Sequence, residues 1–76
     1  MLLEKRIIEK LKKAEEIWGD KDPEEMSEEK RREVLNIILS TNNFYDLLTQ
    51  QKGNNYRVDL LNRIDNLSNK LLEYKS

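Results

Sequence analysis

The chain has 76 residues with no cysteine and no histidine, and 14 basic against 15 acidic side chains leave a net charge of −1. Disulfides, zinc-finger ligand sets, thiol nucleophiles and the commonest general base are thereby excluded. A charge this near zero offers no strong field to nucleic acid or to an anionic membrane, and so short a chain builds one small core with little enclosed volume.

The opening MLLEKRIIEK becomes charged after two leucines, so no secretory leader is expected. The longest uncharged run, 34–45, is too short and too polar to span a bilayer, and a cytoplasmic protein is the expectation. Within 2–18, Leu3, Ile7, Leu11, Ala14, Ile17 and Trp18 recur at helical spacing and predict a first helix with one apolar face. Glu9 and Lys13 stand four apart in the favourable order. Gly19 follows the last apolar residue where a helix commonly turns left-handed and stops.

Asp22-Pro23-Glu24-Glu25 then reads as a cap, a proline at the first helical position and acids suited to the dipole, with Ser27 as an alternative cap. A second helix over about 23–51 places Val34, Ile37, Ile38, Thr41, Phe44, Tyr45 and Leu48 on one arc. Ser40, Thr41, Asn42 and Asn43 are four weak helix formers in a row, so a kink or split near 40–43 is expected, which leaves room for a short fourth helix.

Gly53-Asn54-Asn55 marks a turn, because both residue types tolerate positive φ. The last helix, about 56–75, carries the clearest pattern: Leu60, Ile64, Leu67, Leu71 and Tyr74 at alternating steps of four and three. Leu61, Ser68 and Leu72 form a second row beside it, wider than a two-stranded coiled coil needs and suited to a helix with two neighbours. The fold class expected is therefore all-α, a small antiparallel three-helix bundle in one domain, 1–76.

No nucleophile with a base, carboxylate pair or metal-ligand set stands out, so no enzyme, cofactor or metal is expected. The acids at Glu24, Glu25, Glu28 and Glu29 complement a helix start and need no ion to explain them. Residues 44–64 can be drawn as helix, turn and helix, the outline of a helix-turn-helix. Lys52, Asn54, Asp59 and Asn62 then fall where that motif needs buried residues, and acids bracket the basic run Lys30, Arg31 and Arg32.

A divergent nucleic-acid-binding regulator is thus the alternative, and protein binding the primary expectation, as a modulator of a larger protein or a self-associating homo-oligomer. The second half is rich in amides and aromatics, the composition of an interface core. Tyr45, Gln51, Lys52, Tyr56 and Arg57 are the candidate contact residues, with Phe44 assigned first to the apolar arc and Lys52 and Arg57 to pure surface roles.

Overall fold

A computed structural model describes residues 2–19 and 21–75, the side chains at 23, 74 and 75 excepted. Three α-helices follow one another: α1, Leu2–Trp18; α2, Glu28–Lys52; and α3, Val58–Lys75. A 3-10 turn, Pro23–Glu25, lies between the first two. At about 1.5 Å per residue, the 25 residues of α2 account for the longest dimension of the molecule, 38 Å. Among the described residues no helix is long and apolar enough to cross a membrane.

Each helix sinks one stripe into a common core. From α1 come Ile7, Leu11, Ala14 and Trp18; from α3 come Leu60, Ile64, Leu67 and Leu71. Val34, Ile37, Ile38, Tyr45 and Leu48 of α2 fill the space between them, and Met26 closes one end from the α1–α2 connector. The second row of α3 grades outward, with Leu61 and Ser68 half-buried and Leu72 63 % exposed. Tyr74, expected in the seam, lies outside the described side chains.

The start of α2 is at the later of the two expected caps. Ser27 has extended backbone, φ −65° and ψ 155°, and its Oγ accepts the Lys30 N–H at 3.2 Å. The proline turn closes separately, with the Glu25 N–H donating to the Asp22 carbonyl at 2.9 Å. Arg31 reaches back to donate to the Met26 carbonyl and ties the connector to α2.

The expected split at 40–43 is corrected: α2 passes through those residues unbroken, and no fourth α-helix is present among the described residues. The physical reason lies at Thr41, which is fully buried and whose hydroxyl donates to the Ile37 and Ile38 carbonyls at 2.9 and 3.0 Å. Its polar group is satisfied by the helix it belongs to, and burial of the flanking apolar residues outweighs the small propensity deficit of Ser and Asn.

α2 ends at Gly53, whose φ of 103° is open to glycine and whose N–H donates to the Thr49 carbonyl at 2.8 Å. Gly19 ends α1 in the same left-handed region, φ 52°, with its N–H on the Glu15 carbonyl at 2.7 Å. The left-handed residue of the α2–α3 turn beyond Gly53 is neither Asn54 nor Asn55 but Arg57, φ 51°. The last helix accordingly begins at Val58, two residues later than the pattern predicts.

Candidate functional site

The turn between α2 and α3 is tied to the first turn of α1. Tyr45, 5 % exposed, donates its hydroxyl to the Tyr56 carbonyl at 3.0 Å. Tyr56 in turn donates its own hydroxyl to Glu4 Oε2 at 3.1 Å, across 52 residues of sequence. Arg57 donates to Glu4 Oε1 and holds Asp59 with two bonds, Nε to Oδ1 at 2.9 Å and Nη2 to Oδ2 at 2.8 Å. Glu4 is the most enclosed acid of the set, its side chain 14 % exposed. Around it the chain spends a left-handed non-glycine residue, and the bonds that Arg57 makes hold it there.

The electrostatics follow from these contacts. The hydrogen bond to Glu4 holds the Tyr56 phenol above its ordinary value, with partial burial and the Glu4 charge adding to it against Arg57. Burial raises the Tyr45 phenol, and Asp59 and Asp65 act in the same direction. The Arg57 guanidinium holds the Asp59 carboxyl below the usual carboxylate range. A second pair lies further along the same interface, where Arg63 meets Glu15 with bonds of 3.0 and 2.6 Å. Glu4 with Arg57 and Glu15 with Arg63 place α1 and α3 side by side and running the same way.

The five expected contact residues therefore separate. Tyr45 is core. Tyr56 and Arg57 are half-buried and engaged within the fold, so the pure surface role expected of Arg57 is corrected: its guanidinium is held between Glu4 and Asp59. Gln51 and Lys52 are exposed at the end of α2. Lys13 likewise reaches Glu33 of α2, at 3.8 Å, where an i, i+4 partner was expected in Glu9.

Gln51 also belongs to a surface feature that the periodicity does not show. Leu2, Leu3 and Arg6 of α1 and Phe44, Leu47 and Gln51 of α2 line an open groove of about 440 Å³. Leu3 and Phe44 are half-buried at its base, while Leu2 and Leu47 are 67 % and 47 % exposed. Lys10 sits over the Phe44 ring, 5.8 Å from its centroid. The only signal of the groove in the sequence is that Leu2 and Leu47 are apolar residues off the main stripes.

Three of the cations that α3 and its turn carry already face protein groups. Arg57 and Arg63 face acids, and Lys70 Nζ lies 5.4 Å from the centroid of the Trp18 ring. In the basic run, Arg32 meets Glu28 at 3.3 Å and Lys30 meets Glu33 at 3.7 Å. No protein-family model, curated protein or solved structure matches this chain.

Proposed function

We propose that the chain is a small helical protein-interaction module that binds a larger protein stoichiometrically, with the α1–α2 groove as its contact. One observation carries the reading: apolar side chains that the core has no use for, Leu2 and Leu47, flank the half-buried Leu3 and Phe44 in one concave place. Scattered exposed leucines need no explanation, but apolar residues gathered in a concavity are what a partner removes from water.

The remaining candidate residues take distinct roles in this reading. Gln51 and Lys52 stay in the contact as polar rim. Tyr56 and Arg57 support it from behind, because they anchor Glu4 and hence the turn of α1 that carries Leu2, Leu3 and Arg6.

The test is cross-linking in cells that produce the protein, comparing wild type with the Leu2→Gln/Leu47→Gln variant. Glutamine keeps helix propensity, and both positions are exposed, so the melting temperature should hold. Adducts of one-to-one stoichiometry that disappear in the variant support the reading, and adducts unchanged by it sink the reading. Light scattering on the purified chain separates the self-associating form: a wild-type dimer that the same substitutions split would make the partner a second copy.

A further inference from the structure

Three cations at the contacts of α1 with its neighbours are met by acids, whereas those at this groove are not. Lys13 faces Glu33, Arg57 faces Glu4 and Arg63 faces Glu15. Arg6 is in the groove wall and takes part in no ion pair among the described residues. Lys10 stands beside it over Phe44, and no acid is among the described residues that line the groove. Lys52 offsets the negative end of the α2 dipole close by.

We infer that the groove receives an acidic amphipathic helix of a partner protein, an inference that rests on the module reading above and names the chemistry of its partner. Apolar side chains of that helix, at spacings of three and four, cover Leu2, Leu3, Phe44 and Leu47. Carboxylates on its flanks meet Arg6 and Lys10. A second copy of this chain is a poorer occupant. An isologous contact through this groove would set the Arg6 and Lys10 pairs of two copies against each other, with no acid among the described lining residues to separate them.

The experiment uses the full chain and three fluorescein-labelled amphipathic peptides of about 14 residues, close to four turns of helix. All three share the same leucine face, and their flanking positions are all Glu, all Gln or all Lys. Anisotropy titrations at low salt should rank them Glu, Gln, Lys, with about tenfold or more between the extremes and a gap that narrows as salt rises. Arg6→Glu should close or reverse that gap, whereas Leu47→Gln should weaken every peptide and keep the order.

Equal affinities, or the Lys peptide binding tightest, would overturn the acidic assignment. If no peptide binds while the cross-linked adducts still depend on Leu2 and Leu47, the inference falls and the module reading stands. Sodium dodecanoate serves as a fourth probe, since a fatty acid also joins an apolar chain to a carboxylate. Saturable dodecanoate binding without peptide binding would likewise overturn the proposal.

Discussion

Two buried hydroxyls in α2 should respond in opposite ways to deletion, and the structure says why. Thr41 donates to the Ile37 and Ile38 carbonyls, which as interior helix carbonyls already accept the N–H groups four residues on. Thr41→Val therefore leaves no acceptor unpaired. It forgoes a hydrogen bond worth about 1 kcal/mol net and gains a buried methyl worth about 0.8 kcal/mol. The variant should stay within about 0.5 kcal/mol of wild type, a shift of at most about 4 °C in a domain of this size.

Tyr45→Phe differs, because its hydroxyl bonds the Tyr56 carbonyl at 3.0 Å, an acceptor in the turn and outside any helix. Its loss leaves that partly buried carbonyl without its donor and should cost about 1–1.5 kcal/mol, roughly 4–12 °C. Thermal melts followed by far-UV circular dichroism and by the emission of Trp18, the only tryptophan, measure both variants. A Thr41→Val variant that loses more than about 1.5 kcal/mol would refute the claim that its acceptors are already served. A silent Tyr45→Phe would refute the claim that the Tyr56 carbonyl depends on it.

Ile64→Asp and Leu67→Asp put a carboxylate at positions 1 % and 6 % exposed and should each lose about 3 kcal/mol or more, while Asn66→Asp on the open face stays within about 0.5 kcal/mol. Equal melting midpoints for the three would mean that the α3 stripe is not core. At Arg57 the usual ranking of small residues should invert: Arg57→Gly and Arg57→Ala both delete the guanidinium, but only glycine relieves the φ of 51°, so the Gly variant should melt higher. An Ala variant equal to or above it would contradict the left-handed assignment. Both Tyr45 and Tyr56 hold their protons more tightly folded than at the ordinary phenol value of 10.0. The unfolded chain therefore loses those protons first, and stability, complete below pH 10.0, should fall as pH rises from there through the folded values. Urea titrations from pH 9 to 11 should show a decline that the Tyr45→Phe/Tyr56→Phe pair flattens, and an unchanged slope in the pair would place its source elsewhere.

Legibility in the sequence tracked the range of the interaction. α1 runs Leu2–Trp18, the span its pattern predicts, and the four seam positions of α3 before Tyr74, Leu60, Ile64, Leu67 and Leu71, are all buried, because helical spacing is a local property. The unbroken α2 was hidden, since local propensity at 40–43 pointed the other way and only packing around Thr41 overrides it. The roles of Tyr56 and Arg57 were hidden more deeply: their partner Glu4 is 52 and 53 residues away, and nothing in one sequence announces such a pairing. Tyr45 combined both cases, its ring placed by the arc and its hydroxyl by a turn whose geometry was unknown.

The clasp at Glu4 also orders events in time. α1 and α2 share the most extensive contact and are consecutive in the chain, whereas the bonds from α1 to Tyr56, Arg57 and Arg63 must wait for the last third of the chain. The connector between α2 and α3 is shorter still, so it is the larger α1–α2 contact that makes the α1–α2 hairpin the expected nucleus and the docking of α3 the later step. Weakening Leu11 or Ile37 would then slow folding, while weakening Glu15 or Arg63 would hasten unfolding and leave the folding rate nearly alone. On the ribosome the same order leaves a finished hairpin with the α3 side of its core bare until α3 emerges, and that interval is when this protein is most exposed to aggregation.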